Sequence, residues 1–127
     1  MIAKATYKFD DQFKILFKTY HGAITIEDLT RTWDEAIEQN LIPENVKGFI
    51  LDYREAGFNI PLYRYKEIPV YYRLHPEVFE GHRIAILTNS PKDIVIPVLV
   101  EMEDFGYQSR PFSTLEAALK WVLLTEK

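Results

Sequence analysis

The chain has 127 residues, 47% of them apolar and 27% charged, a size and balance that fit one folded domain around one core and exclude a disordered chain. The net charge of −4 is spread evenly: residues 1–60 carry 7 basic and 10 acidic side chains, and residues 61–127 carry 8 and 9. No basic stripe can neutralise a phosphate backbone, so nucleic-acid binding is disfavoured, and the absence of cysteine excludes disulfides, thiolate metal sites and a cysteine nucleophile.

The opening MIAKATYKFDD lacks the apolar region of a signal peptide, and the longest apolar run, Ile94 to Val100, is too short to span a bilayer. A cytoplasmic protein without a membrane span is expected. Residues 4–9 and 13–20 alternate apolar and polar, with Asp10, Asp11 and Gln12 as turn chemistry between them, which predicts an antiparallel hairpin. His21 and Gly22 are expected to leave the strand. Thr25 and Asp28 read as a capping box, and Ile26, Leu29, Trp33, Ala36 and Ile37 recur at helical spacing, predicting a helix from about 26 to 40 that Pro43 ends.

The run 48–53, GFILDY, reads as a buried parallel strand. Arg54 to Lys66 fits neither period. A helix is expected from near Glu67, with Pro69 in its first turn and Pro76 closing it. Residues 83–88 form the next buried strand, Asn89-Ser90-Pro91 a turn, and about 93–104 a helix that Gly106 stops. Tyr107 to Phe112 is the last strand, and Ser113 with Glu116 reads as a second capping box, opening a helix from Thr114 to about Leu124. The expected order is β-β-α-β-α-β-α-β-α: one α/β domain over residues 1–127, its five-stranded, mostly parallel mixed sheet flanked by four helices.

This layout carries the blocks YKFDDQFKILFKTYHG with ITIEDL, FILDYREAG, HRIAILTNSP and RPFSTLEAALKWV. It resembles the STAS domain, the fold of anti-sigma factor antagonists and sulfate-transporter tails, and in particular the small bacterial STAS-like proteins of unassigned role. The resemblance covers nearly the whole chain in layout, the last two blocks being the distinctive ones. It implies a regulatory or protein-interaction module, and kinship at fold level with lipid-exchange domains of the CRAL-TRIO type. In the antagonists of that family, a Ser or Thr just beyond the strand matching Phe49–Tyr53 is the phosphorylated switch. Here the stretch is Asp52-Tyr53-Arg54-Glu55-Ala56-Gly57, and no Ser or Thr occurs from 33 through 87. That switch has no acceptor hydroxyl in this chain.

Ligands of open parallel sheets sit beyond the carboxyl ends of the strands. Those ends are Asp52-Tyr53-Arg54 and Thr88-Asn89-Ser90, which suggests a small polar pocket with Arg54 as an anion anchor and Asp52 and Asn89 as orienting groups. The same residues have a plainer role: Asp52 and Arg54 can satisfy each other or backbone amides, and Asn89-Ser90 can make the turn and helix cap. Tyr53 to His75 concentrates six aromatics with Arg54, Arg64, Lys66 and Arg73. A recognition surface, or a pocket for a small amphipathic or lipid-like ligand lined by Tyr53, Tyr63, Tyr65, Tyr72 and Arg73, is one reading. Helix packing with solvated basic side chains is the other.

The last two helices carry more apolar surface than one core face needs. Val95, Val98, Leu99 and Met102 form one stripe and Ile96 with Val100 another, while in the final helix Leu115, Ala118, Leu119 and Val122 form a stripe with Ala117, Trp121 and Leu124 beside it. Ile96, Val100, Trp121 and Leu124 are therefore the candidate surface for a homodimer or protein partner, against the alternative of a wide burial angle. No catalytic residue or cofactor is expected. Ser90 and Ser113 read as caps, and Ser109 has no base predicted beside it. His21, His75 and His82 share no ligand spacing, so no metal is expected either. The readings in order are a non-enzymatic STAS-like regulatory or interaction module, a binder of a small amphipathic ligand, and a hydrolase without a recognisable motif.

Overall fold

The Asp10 carboxylate organises the first reversal of the chain: its Oδ1 accepts the amides of Gln12 at 2.9 Å and Phe13 at 3.0 Å, and Lys14 completes the turn at φ 62°. This joins β1 (Ala5–Asp10) antiparallel to β2 (Ile15–Ile24) in a computed structural model that describes residues 4–124. Contrary to expectation, His21 and Gly22 stay in the strand. A register shift between Thr19 and His21, with Gly22 at φ 83°, absorbs the irregularity as a bulge, and pairing continues to Ile24.

The capping box of α1 (Ile26–Glu38) is formed as expected: Thr25 Oγ1 accepts the Asp28 amide at 3.0 Å and Asp28 Oδ2 accepts the Thr25 amide at 3.1 Å. The helix stops at Glu38, and Asn40, at φ 56°, reverses the chain before Pro43 is reached. β3 (Gly48–Phe58) outruns its apolar half, because residues 55–58 keep pairing with His21–Ile24 of β2 where no further strand lies beside them. Glu55 is exposed and Ala56, Gly57 and Phe58 are half-buried, so no alternation of apolar and polar residues marks them.

A 3₁₀ turn at Leu62–Arg64 leads into α2 (Glu67–Arg73), which carries Pro69 in its first turn. Pro76 closes α2 and also opens a further short helix, α3 (Pro76–Phe79), so the sheet is flanked by five α-helices rather than four. β4 (Arg83–Leu87), a 3₁₀ turn at Pro91–Ile94, α4 (Val95–Glu101), β5 (Gln108–Phe112) and α5 (Leu115–Val122) complete the chain. The expected Ser113–Glu116 box is replaced by a one-sided cap. Thr114, in extended conformation, accepts the Ala117 amide at 3.2 Å, and alanine at the third helical position has no side chain to answer with. Ser90 makes no side-chain cap either.

The sheet has the order β1-β2-β3-β4-β5, with every pair after the first parallel. Residues of α1, α2, α3 and α4 share the larger core, and α5 alone covers the opposite face with Ile15, Ile50, Ala85 and Leu87. In the larger core, Trp33 meets Phe79 edge-on at 5.0 Å and Phe49 at 5.7 Å, and Tyr53 stacks between Tyr20 and Phe58 at 4.3 Å on each side. On the other face Arg83 holds the end of α5, donating from Nη1 to the carbonyls of Trp121 at 2.8 Å and Leu124 at 3.0 Å.

Gly48 sets how closely α5 approaches the sheet. A Cβ there would collide with Val122 Cγ1 and stand 3.2 Å from the Arg83 carbonyl. Gly48→Ala is therefore expected to cost about 1–3 kcal/mol of stability by overpacking, read as a lower denaturant midpoint at unchanged slope; a midpoint equal to the parent's would mean that α5 is free to shift outward.

Candidate functional site

Strand alternation separates the residues of the expected polar pocket. Phe49, Leu51 and Tyr53 point into the helix layer, so Asp52 and Arg54 emerge on the other face. Tyr53 is buried. Asp52 and Arg54 occupy each other: Arg54 Nη2 donates to Asp52 Oδ2 at 2.8 Å, Arg54 Nε to Oδ1 at 3.1 Å, and the Arg54 amide to the same Oδ1 at 2.9 Å. Burial acts to raise the Asp52 pKa, but these bonds and the Arg54 charge outweigh it and hold the carboxyl below its ordinary range. Asn89 is an exposed turn residue.

The aromatic and basic stretch is likewise divided. Tyr71 and Tyr72 are buried, Tyr63 is 85% exposed, and Tyr65 lies between, donating to Glu103 Oε2 at 3.4 Å. Arg64 bridges Glu67 at 2.7 Å and Glu27 at 2.9 Å, and Arg73 donates to the Glu103 carbonyl at 3.2 Å. Where Tyr53, Phe58, Tyr72, Ile96 and Val100 converge, the space left is about 10 Å³, too little for even a small ligand. Tyr53, Phe58 and Tyr72 thus pack as core, and Arg54 and Arg64 make surface ion pairs.

The candidate partner surface is turned the other way. Ile96 and Val100 are buried in the larger core, and Trp121 is buried on the opposite face against Phe112, with Arg83 and Arg110 over its ring. Of the four, Leu124 is exposed. The outward stripe of α4 is Val95, Val98 and Met102, continued by Ile94 before it and Phe105 after it, with exposures of 42, 42, 76, 38 and 76%. On α2, Val70 and Leu74 also face outward, and a cleft of about 230 Å³ beside Phe105 is walled by Tyr72, Arg73, Pro76 and Tyr107. The buried Tyr107 hydroxyl has no hydrogen-bond partner among the described residues.

Several polar groups inside the fold escaped the sequence reading, Lys18 and the Asp104–Ser109 pair among them. The alternation of β2 sends Lys18 inward with Leu16 and Tyr20, and it is fully buried. Its Nζ donates to Thr32 Oγ1 at 2.8 Å and lies over the rings of Trp33 at 3.9 Å, Tyr20 at 4.6 Å and Tyr7 at 5.4 Å. Desolvation lowers its pKa well below the ordinary lysine value, with Glu35 opposing and Arg31 adding to the shift. The second group is a carboxylate beside Ser109, where none was expected: Asp104 accepts both the amide and, at 2.8 Å, the hydroxyl of Ser109. Burial raises the Asp104 pKa to about 6, partly offset by those bonds. Ser109 is buried, so the pair closes a strand edge rather than offering a nucleophile. Among the described residues no group of three or more His, Cys, Asp or Glu could hold a metal ion.

The strand order, the single helix layer and the lone C-terminal helix on the other face define an α/β protein of SpoIIAA-like fold. Among the solved structures that share it are two of similar length. One is an uncharacterised protein of the DUF3478 family from Shewanella loihica PV-4, described as having a SpoIIAA-like fold; it is 16% identical, with TM-score 0.60 over 93% of this chain and 91% of the other. The second is the anti-sigma factor antagonist SpoIIAA in its unphosphorylated form, also 16% identical, with TM-score 0.51 over 93% of this chain and 96% of the other. The STAS-like resemblance of the sequence is thus matched by the fold. No family model matches the sequence, and no curated protein matches it.

A lysine whose folded pKa lies below its unfolded value leaves the unfolded chain holding the extra proton. Stability should then rise with pH above the folded pKa, by at most about 1.4 kcal/mol per pH unit, until the unfolded value is reached. Lys18→Met is expected to add about 1–3 kcal/mol at pH 7 and to flatten the rise between about pH 7 and 9, read by denaturant unfolding across that range. Asp104 has the opposite sign. Its raised folded pKa contributes stability that is present at low pH and lost as pH rises through about 6. The melting temperature of Asp104→Asn should therefore gain on the parent by about 2–4 °C between pH 4 and 7, and a constant difference would remove the assignment.

Proposed function

We propose that this protein is a non-catalytic regulatory or interaction module that docks a protein partner on the outer face of its helix layer, centred on α4. The observation that carries this reading is the stripe Val95, Val98 and Met102 with Phe105, exposed on a helix whose other stripe, Ile96 and Val100, already fills the core. A helix that packs only against its own domain needs one apolar stripe, and contiguous exposed apolar surface marks association sites. Arg73 and the cleft beside Phe105 supply a polar rim and a socket for an apolar side chain of the partner.

The likeness to SpoIIAA, an anti-sigma factor antagonist and hence a protein that acts on another protein, favours the same reading. Control by Ser or Thr phosphorylation after the third strand is not part of it, because residues 33–87 contain neither. The closely packed Tyr53–Tyr72 region gives no support to the amphipathic-ligand alternative. No helix among the described residues is long and apolar enough to cross a membrane, and the partner surface is read as facing water in the cytoplasm.

The test is a photo-crosslinking residue at Met102 in the native host, with one at Glu116 on α5 as control. A single protein adduct specific to position 102, reduced at least about tenfold by Val98→Glu at unchanged melting temperature, is the expected result. No adduct, an adduct only with a second copy of the chain, or one that Val98→Glu leaves intact would overturn the proposal.

A further inference from the structure

An open sheet has two edges, and this chain treats them differently. On β5 the residues that pair with β4 include Gln108, whose amide donates to the His82 carbonyl, and Phe112, whose carbonyl accepts from Thr88. The amides that would point outward are those of Ser109 and residue 111. Asp104 takes the first, and residue 111 is proline, which has none. The β5 edge offers no free donor.

The β1 edge is open. The His21 amide donates to the Lys4 carbonyl, which places Lys4, Thr6, Lys8 and Asp10 as the residues bonded to β2. Ala5, Tyr7 and Phe9 then turn both backbone groups outward, and no described residue pairs with them. Their side chains pack against the larger core, which holds the strand flat. No proline or bulge interrupts the strand, and the covering found on β5 has no counterpart here.

The geometry points to a second copy of this chain as the occupant: β1 pairs antiparallel with β1 of a partner about a two-fold axis at Tyr7, giving one continuous sheet through both protomers. In that register Ala5 faces Phe9 and Tyr7 faces itself, so every outward amide and carbonyl is bonded. The charges select this register. Lys4 then stands opposite Asp10 at both ends and Lys8 opposite Thr6, whereas a slip of two residues sets Lys8 against Lys8 in one direction and Lys4 against Lys8 in the other. Within the protomer Lys4 Nζ donates to the Ala23 carbonyl at 3.0 Å and stands 4.0 Å from Asp28 Oδ2, so the Lys8 side chains, more than the Lys4–Asp10 pairs, select the register. This surface lies across the sheet from α4 and does not depend on the partner proposed there.

Sedimentation equilibrium up to about 1 mM protein tests it with substitutions of opposite sign at one exposed position. Thr6→Lys places like charges opposite each other twice and should weaken dimerisation by about threefold to tenfold. Thr6→Glu, meeting Lys8 twice, should strengthen it by a similar factor. Ala5→Pro removes an outward donor from each copy without touching the bonds to β2, and should leave a folded monomer. A parent that stays monomeric throughout, a dimer that Ala5→Pro leaves intact, or Lys and Glu at position 6 shifting the equilibrium in the same direction would overturn the assignment.

Discussion

The position of β3 governs the rest of the molecule. It is the middle strand of the sheet, covered by the helix layer on one side and by α5 on the other, and its side chains can only alternate between the two. Phe49, Leu51 and Tyr53 therefore build the large aromatic core. Gly48, Ile50 and Asp52 face the other way, where the missing Cβ of Gly48 lets α5 lie close. Any site assembled from consecutive residues at the end of this strand is split between two faces of the sheet. Asp52 and Arg54 neutralise each other outside while Tyr53 is sealed inside.

The larger core is rich in groups that carry a polar tip. Tyr20, Trp33 and Tyr107 each bury a donor without a partner among the described residues, and Lys18 buries an amine under three rings. Each such group costs stability unless packing and ring contacts offset it. The edge-to-face and stacked contacts around Trp33, Phe79 and Tyr53 supply that offset. Apart from the exposed Tyr63, the aromatic residues between 53 and 75 thus serve this core, and the arginines among them are engaged in surface bonds with Asp52, Glu27, Glu67 and the backbone of residue 103.

What is left for partners is the outer surface. The helix layer presents a second apolar stripe on α4, and the sheet presents one closed edge and one open edge. Asp104 and Pro111 at β5 show that the chain carries the means to blunt an edge, which makes the unprotected β1 a feature with consequences. These surfaces lie on different elements, so self-association and partner docking can coexist in one assembly.

Much of the fold was legible because local chemistry and periodicity agree along the chain. The Asp10 turn, the Thr25–Asp28 box, the apolar runs at 48–53 and 83–88 and the tolerated proline at 69 each name their element without help. Legibility failed where local signals were silent or shared. Residues 55–58 pair on one side without being buried on both faces, Pro76 can close one helix and open the next, and of the adjacent Ser113 and Thr114 it is Thr114 that caps α5. The site residues were harder still, because two apolar stripes on one short helix look alike until something packs against one of them. By itself the sequence determined an α/β sheet of five strands and the order of those strands along the chain, both of which follow from period, capping and composition. Tertiary structure alone decided that Ile96 and Val100 face in while Val98 and Met102 face out, that Lys18 is buried, and that β1 is the open edge, because burial and edge position belong to the assembled sheet and to no segment of it.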